Sequence, residues 1–428
     1  MKSDTPVSTE YVAESVTQTV VAALDNILSP YIGVFFIAWA VTIVSTPLMR
    51  HVAIRFKIID QPDLARKNHL EPIPYLGGIA IFLGWLAGVL LCGSVSPHLA
   101  RYGFKTVQFP QAIVWGAIII TVCGLVDDVI RISPRVKLGA QLIAAGILAS
   151  NNTAGTTLMH SVLTALHLPD PELIAGLPYT LSYALGAVVI ALFVLGACNA
   201  VNLLDGLDGL ATGVLGIACL GFLVISCYVA VAISNPDADP STADLMSDPV
   251  RVVMCLAILG ALLGFLPHNF NPANIFMGDA GSMLLGYLSA TTILLFAHGL
   301  TMGPQLVCAA LIIFALPITD TALTIFRRLM ARQSIMEGDS QHLHHQIARG
   351  FTNWGFGHQM SVKLTVLTMY ALSLIFAMLG CALVFLRWRF VIVVFAVVFG
   401  FVVVTAYKSA YRNVLLLKGE GRVSVGNP

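Results

Sequence analysis

Carboxylates and amide side chains occur in this chain where long apolar runs end, and these residue types bind cations and phosphates. The pair Asp127-Asp128 closes one such run, and three basic residues follow within ten positions. Two adjacent carboxylates repel each other unless a cation or a shared proton stabilises them. The pair therefore indicates a cation or proton site, and the alternative is a helix C-terminus that reaches solvent.

The segment NAVNLLDGLDGLATG carries a polar side chain at every third position: Asn199, Asn202, Asp205 and Asp208. On a helical turn this spacing makes the four side chains point in roughly the same direction. A glycine follows each aspartate and lets a ligand approach the backbone. We interpret the segment as a ligand site rather than a plain interhelical turn.

A single carboxylate, Asp279, lies between Gly278 and Gly281 directly ahead of another apolar run. Flanking glycines, a carboxylate and a helix N-terminus suit a hard cation together with its phosphates. The alternative is that Asp279 only caps the helix.

Basic residues gather in the last long polar loop and just before it: Arg327, Arg328, His342, His344 and His345. A zinc site is disfavoured, because the adjacent His344 and His345 cannot share one helical face. Arginine and histidine together suit a diphosphate or a nucleotide, whereas a solvated basic loop is the alternative.

A second basic group, with Lys67 and His69, lies in DQPDLARKNHLEPIPYLGG. It either contacts substrate or only orients the chain in a membrane. The sequence contains neither the P-loop lysine motif typical of ATPases nor the GxGxxG motif typical of dinucleotide-binding proteins. It therefore does not indicate either function.

The composition is that of a membrane protein. Of 428 residues 57% are hydrophobic and 11% are charged, whereas soluble domains carry about 25% charged residues. The net charge of +1 argues against nucleic-acid binding, which requires a basic excess. The eight cysteines form no CxxC pair and lie in or beside apolar stretches, so we expect small core residues rather than disulfides.

Eleven apolar runs reach or approach the about 20 residues that a helix needs to cross a bilayer. They are 31–50, 76–93, 109–126, 137–152, 179–198, 210–233, 249–267, 282–299, 304–326, 361–386 and 389–407. We predict an all-α integral membrane protein with one polytopic domain over 31–407 and a tail over 408–428. The segment 1–30 is either an amphipathic helix on the membrane surface or a polar lead-in.

The distribution of Lys and Arg predicts the orientation. With the N-terminus outside, 17 of the 23 Lys and Arg residues lie on the inner side, as cytoplasmic loops require. This places the N-terminus outside and the C-terminus in the cytoplasm. Most acidic residues of the inner side then lie where an apolar run begins or ends, so the polar groups collect at one face.

The motifs resemble those of the polyprenyl-phosphate N-acetylhexosamine-1-phosphate transferases (the MraY/WecA superfamily). The matching stretches are Asp60 to Gly78, Gly124 to Gln141, Asn199 to Gly213, Pro267 to Ser282 and Asp320 to His345. The resemblance implies a membrane enzyme of the bacterial inner membrane with its active site on the cytoplasmic face. It implies transfer of a sugar 1-phosphate from a UDP-sugar to a polyprenyl phosphate, with Mg²⁺ (Mn²⁺ as the alternative) and release of UMP.

The resemblance also implies residue roles. It assigns Asp279 to the metal and Asp127-Asp128 to catalysis near the lipid phosphate. Substrate contacts fall to Lys137, Asn202, Asp205, Asp208, His342, His344 and His345. We add Lys67, His69, Asn199, Arg327 and Arg328 to the substrate contacts, and leave open whether the chain forms a homodimer.

The last loop predicts the donor sugar. The peptidoglycan branch of the family, which uses UDP-N-acetylmuramoyl-pentapeptide, typically shows three consecutive histidines followed by Phe-Glu. Here Leu343 divides the histidines and Gln346 follows them. We therefore expect UDP-N-acetylglucosamine as donor and undecaprenyl phosphate as acceptor, with the muramoyl donor as the alternative. A cation-coupled transporter is a more distant alternative, because transporters usually place such groups near the bilayer midplane.

Overall fold

The computed structural model describes most of the chain, and nearly all described residues are helical. Described are residues 24–60, 72–93, 106–151, 179–233, 249–297, 303–330, 342–387, 389–400 and 404. Residues 1–23, the whole tail, and Lys67 and His69 lie outside this part, so what the sequence predicts for them stays a prediction.

The helices follow the apolar runs closely. In chain order they are α1 (Ile32–Arg55), α2 (Gly77–Gly93), α3 (Gln111–Ile130), α4 (Pro134–Asn151), α5 (Tyr179–Leu204), α6 (Leu210–Ile233), α7 (Val250–Asn269), α8 (Gly278–Leu295), α9 (Gly303–Ile313), α10 (Ala315–Met330), α11 (Leu343–Asn353), α12 (His358–Leu383) and α13 (Arg389–Gly400). Proline marks several starts: Pro110 and Pro249 directly precede α3 and α7, and Pro134 opens α4. Proline favours helix starts because its fixed φ suits the first turn and its missing N–H is not needed there.

Six helices are long and apolar enough to cross a membrane, so the protein is a multi-pass membrane protein. They are Leu24–Arg55, Gln111–Ile130, Tyr183–Leu204, Leu210–Val231, Val250–Asn269 and His358–Leu383. α9 and α10 form a seventh span if they are counted together, although they meet at an angle of 71°. Pro317 explains the break, because it has no N–H to donate to the carbonyl of Ile313. The predicted count of eleven spans stays a prediction.

The centre of the described bundle is α8. Every residue of this helix except Asp279 is buried, and α3 and α5 pack against it along most of its length. α3 approaches backbone to backbone at Gly124, where a Cβ atom would lie 2.5 Å from the main chain of Ala280. At Gly78, on α2, a Cβ atom would overlap the backbone nitrogen of Gly281. Glycine at these two positions allows α2 and α3 to pack directly against the backbone of the first turn of α8.

Both ends of α8 are bound by charged side chains from other helices. At its N-terminus Asp128 accepts hydrogen bonds from the backbone amides of Asp279 (2.8 Å) and Ala280 (3.2 Å). At its C-terminus the Arg251 guanidinium donates to the Leu295 carbonyl at 3.3 Å. A carboxylate at the positive end and a cation at the negative end each match the helix dipole. Both charges therefore stabilise the ends of α8.

A short ribbon lies beside the same end of α8. Strands β1 (Ile59–Asp60) and β2 (Ile73–Pro74) pair antiparallel, with Ile59 opposite Pro74. The Phe276 amide donates to the Pro74 carbonyl at 2.9 Å, so the ribbon also holds the loop that leads into α8. Tyr75 follows the ribbon, and burial together with a hydrogen bond to Asp60 raises the pKa of its phenol.

Candidate active site

Three charged side chains from three helices meet at the N-terminus of α8. Lys137, on the first turn of α4, places its Nζ atom 2.7 Å from Asp127 Oδ2 and also pairs with Asp279 Oδ2. The side chains of Asp127, Lys137 and Asp279 are 14%, 24% and 26% exposed, respectively, so a ligand can still reach them. A cation flanked by two reachable carboxylates suits the binding of phosphate together with a metal ion.

The adjacent carboxylates Asp127 and Asp128 have different partners. Asp127 faces Lys137, and its Oδ1 also accepts a 2.8 Å bond from the Ile132 amide. Asp128 faces the first amides of α8, next to Gly278. That glycine has φ +66°, and a Cβ atom there would lie 2.5 Å from Asp128 Oδ2. The two carboxylates are therefore compensated by different groups. The Lys137 ammonium group compensates Asp127, and the N-terminus of α8 compensates Asp128.

Asn202 and Asn199 lie one turn apart at the end of α5 but serve different neighbours. Asn202 donates at 3.0 Å to Asp279 Oδ1 and at 3.0 Å to Ser282 Oγ. Asn199 donates at 3.0 Å to Gln141 Oε1 on α4. Asn202 thus belongs to the charged group around Asp279, and Asn199 lies outside it.

The two aspartates of the same motif follow the helix. α5 ends at Leu204, and Gly209 adopts a positive φ of 76° in the turn before α6. Asp208 Oδ2 accepts 3.0 Å bonds from the Asn271 side chain and the Ala273 amide, and so binds the loop ahead of α8. The expectation that the four polar side chains share one direction is wrong, because the helix stops halfway through the motif.

Asp205 lies in this turn, half-buried and close to other carboxylates. Burial is the largest cause that raises its pKa, to about 8, and the negative charges of Asp279, Asp128 and Asp208 add to the effect. Asp205 is therefore protonated at neutral pH and can donate a hydrogen bond, as a neutral carboxyl group does.

The histidines form a stacked group on the other side of the turn. The His342 and His344 rings are parallel, with centroids 5.4 Å apart, and His345 packs against His344 at 4.3 Å. His342 and His344 are buried, whereas His345 is half-buried. Burial and the neighbouring histidines lower the pKa of His345 to about 4, so it is neutral at pH 7.

The histidine group touches the aspartate turn directly. A Cβ atom at Gly206 would lie 2.5 Å from His344 Nε2. Two stretches separated by more than a hundred residues in sequence thus form one surface. The sequence places both in the site but gives no indication that they are in contact.

Arg327 and Arg328 lie on α10 and are both 6% exposed, so the alternative of a solvated basic loop does not apply to them. Arg327 Nη2 donates to Thr324 Oγ1 at 3.2 Å. The sequence interpretation noted Asp320 at the end of an apolar run but assigned it no role, and its carboxylate lies beside His342 and His344. Its signal was present, since Asp320 is the one carboxylate inside the ninth apolar run.

No group of three or more His, Cys, Asp or Glu side chains in the described residues is arranged to hold a metal ion by itself. Asp127 and Asp279 nevertheless offer carboxylate oxygens at one point. Mg²⁺ is usually held by one or two carboxylates together with substrate phosphates, so this pair fits Mg²⁺ in the presence of a diphosphate.

Comparisons with known proteins agree with the motifs. The family model described as glycosyl transferase family 4 matches residues 111–297, from the start of α3 to just beyond α8. A probable undecaprenyl-phosphate N-acetylglucosaminyl 1-phosphate transferase from Bacillus subtilis is 31% identical over 83% of this chain and 85% of its own length.

Two further relatives come from other bacteria. A decaprenyl-phosphate N-acetylglucosaminephosphotransferase from Mycolicibacterium smegmatis is 31% identical over 76% of each chain. An undecaprenyl-phosphate alpha-N-acetylglucosaminyl 1-phosphate transferase from Salmonella typhi is 29% identical over 72% of this chain and 73% of its own. Because the likeness extends over most of both chains, this protein belongs to glycosyl transferase family 4, within the superfamily that its motifs resemble.

Proposed function

We propose that the protein transfers N-acetylglucosamine 1-phosphate from UDP-N-acetylglucosamine to undecaprenyl phosphate and releases UMP. The observation that carries the proposal is the group Asp127, Lys137, Asp279 and Asn202 at the N-terminus of α8. The names of the relatives support the acceptor class and the sugar. The placement of the polar groups at helix ends, and these relatives, give no support to a transporter.

The reaction needs positioning and charge neutralisation more than covalent help from the protein. In the proposed step an oxygen of the lipid phosphate attacks the β-phosphorus of the donor. The bond from that phosphorus to the oxygen of the α-phosphate breaks, and UMP leaves with the bonding electrons. Lys137 lies where it can neutralise charge that develops on the phosphoryl oxygens.

We assign Asp127 to activation of the acceptor, the lipid phosphate. It is partly exposed, and it can take the last proton from a lipid phosphate, whose second pKa is about 6. Asp128 is engaged by two backbone amides of α8, so we assign it to holding Asp279 in place.

We propose that Mg²⁺, with Mn²⁺ as the alternative, would be held by Asp279 together with the donor diphosphate. The ion supplies charge neutralisation of the diphosphate and of the leaving UMP. Asn202 keeps the Asp279 carboxylate in its orientation through the 3.0 Å bond to Oδ1.

The nucleotide side of the site is assigned to the turn after α5 and to the histidine group. Asp205 and His345 are the half-buried members there, and both are uncharged at neutral pH. Neutral groups with donor and acceptor atoms suit the base and sugar of the donor, whereas Lys137 serves its phosphates.

We further propose eleven membrane spans with the N-terminus outside, and an active site on the cytoplasmic face of the bacterial inner membrane. The excess of Lys and Arg in the inner connections supports this orientation.

The decisive experiment is turnover by the purified protein in lipid nanodiscs. Undecaprenyl phosphate is offered with either UDP-N-acetylglucosamine or UDP-N-acetylmuramoyl-pentapeptide, and UMP and radiolabelled lipid are measured. We expect the first donor to react at least about a hundredfold faster. Faster transfer from the peptide donor would show that the protein belongs to the peptidoglycan branch of the family. Absence of UMP release with both donors would refute the proposed reaction.

A further inference from the structure

Asp320 is a buried carboxylate for which the reaction proposed above has no use. It lies on α10, is 1% exposed, and its Oδ1 atom accepts a 2.7 Å hydrogen bond from the amide of Leu343, the first residue of α11. Its Oδ2 atom lies 3.2 Å from His342 Nδ1 and 3.7 Å from His344 Nδ1. One carboxylate therefore holds the start of α11 and faces two of the three histidines.

This arrangement decides which ring nitrogens carry protons. An ionised carboxylate accepts hydrogen bonds but cannot donate them, so an imidazole nitrogen beside it carries a proton. In a neutral imidazole the other nitrogen, Nε2, is then an acceptor. Asp320 thus favours a proton on His342 Nδ1, which lies 3.2 Å from its Oδ2 atom, whereas His344 Nδ1 at 3.7 Å lies beyond hydrogen-bond distance.

The His344 ring stacks parallel to His342 at 5.4 Å, so a residue that orients His342 also affects His344. With Nδ1 towards Asp320, the opposite edge of the ring faces Gly206 in the aspartate turn. Gly206 directly follows Asp205, which we place on the nucleotide side. A shift of His344 would therefore be transmitted to Asp205 through a single packing contact.

A chain of contacts links Asp320 to a buried arginine through His342 and Thr324. Thr324 Oγ1 lies 3.3 Å from His342 Nδ1 and accepts a hydrogen bond from Arg327. Buried carboxylates persist when hydrogen bonds and nearby cations compensate them. A residue that served only to fill space here would not need a charge.

We propose that Asp320 is a positioning residue that acts through His344 on the turn carrying Asp205, and so on binding of the UDP-sugar donor. This inference rests on the proposed function for the identity of the donor. It predicts an effect on the donor and none on the polyprenyl phosphate, because the turn lies on the nucleotide side of the site.

The first test is the kinetics of Asp320→Asn. Asparagine keeps the size and still accepts from the Leu343 amide, but its NH₂ group donates towards His342 Nδ1 and reverses the tautomer of that ring. We expect the KM for UDP-N-acetylglucosamine to rise about 10- to 100-fold, the usual effect of removing a group that orients a ligand-binding residue. The KM for undecaprenyl phosphate stays unchanged. A similar rise in both KM values, or no rise in either, would overturn the proposal.

Thr321→Val is the matched control. Thr321 neighbours Asp320 on α10, and its hydroxyl has no hydrogen-bond partner among the described residues. The substitution keeps the shape and removes the hydroxyl, so we expect both KM values to stay at the wild-type level. An effect of Thr321→Val equal to that of Asp320→Asn would mean that any change in α10 perturbs the donor, and the specific role would fail.

The second test does not depend on turnover. ¹⁵N chemical shifts of labelled histidines distinguish protonated from unprotonated ring nitrogens. We expect His342 of the substrate-free wild type to carry a proton on Nδ1, and Asp320→Asn to convert it to the Nε2–H tautomer. Unchanged histidine shifts in the variant would refute the tautomer argument, even if the wild type failed to transfer N-acetylglucosamine 1-phosphate.

Gly206→Ala keeps the proposal testable if Asp320→Asn does not fold. Its methyl group would press on His344 from the opposite side. We expect the same selective rise in donor KM, and a double variant no worse than the more impaired single variant, because both act through one contact. A normal donor KM in Gly206→Ala would contradict the proposed route.

Discussion

Asp128 binds the backbone amide of Asp279 through its Oδ1 atom at 2.8 Å, and this bond joins the end of α3 to the start of α8. One carboxylate thereby positions another that is 151 residues away in sequence. Because α8 is buried along its length, a change at Asp128 cannot be absorbed by a shift of the helix.

Asp279→Asn should abolish most of the transfer activity. The substitution keeps the size of the side chain and the contact to Asn202 but removes the charge that faces Lys137. We expect kcat to fall by about 10²- to 10³-fold, the usual effect of losing one charged group at a reacting centre. Turnover measured against Mg²⁺ concentration checks this, and recovery of the wild-type rate at high Mg²⁺ would remove Asp279 from the site.

Asp127→Asn and Asp128→Asn should differ in their pH dependence. Without Asp127, transfer should be slowest at low pH, where the lipid phosphate keeps its last proton, and should recover as the pH rises through about 6 to 8. In Asp128→Asn, activity should be low at every pH, because asparagine keeps one acceptor oxygen and places an NH₂ group against the other amide of α8. Two rate–pH profiles decide this. Loss of activity by Asp127→Asn at every pH, with a trapped phospho-aspartate, would instead indicate a covalent route.

Asp205→Asn should change how thermal stability depends on pH. The pKa of Asp205 is raised to about 8 in the folded protein and is near 3.8 when unfolded, so folding binds a proton between these values. The contribution of the neutral carboxyl group is present at low pH and is lost as the pH rises towards 8. The variant cannot ionise, so its Tm relative to wild type should rise between pH 5 and pH 8. A constant difference across this range would contradict the raised pKa.

Gly124→Ala should destabilise the protein. The added methyl group would lie 2.5 Å from the main chain of Ala280, and neither this backbone nor that of α3 can move aside as a flexible side chain could. Overpacking of this kind costs about 1–3 kcal/mol, which should appear as a lower Tm and reduced activity. Gly146→Ala on α4 is the control, since a Cβ atom there meets nothing within 4 Å. Equal effects of the two substitutions would argue against the close packing of α3 on α8.

Cysteine labelling should reveal the orientation. A cysteine introduced at Asn152 or Asp239 should react with an impermeant thiol reagent in intact cells, whereas one at Ser340 should react only after lysis. Background from native thiols is low, because six of the eight cysteines are buried. The opposite labelling pattern would invert the membrane topology.

The sequence by itself determined the class of protein, the helix positions and the family. Apolar runs are local signals, since a helix in a membrane satisfies its backbone hydrogen bonds within its own segment. For the same reason the eleven runs each overlap a helix or, for 304–326, the bent pair α9 and α10. The motifs that carry the family, NAVNLLDGLDGL and FMGDAGS, are equally local and needed no coordinates.

Only the tertiary structure decided which residues act on one another. The sequence treated Asp127-Asp128 as one unit, yet one residue faces Lys137 and the other faces the amides of α8. It gave Asp320 no role, although Asp320 lies beside two histidines of the site. Hydrogen bonds between distant segments depend on how helices pack, and spacing along one helix carries no information about the partner on the next. The same residue types at the same positions could have paired differently, and the burial of α8 in the bundle fixed which pairs form.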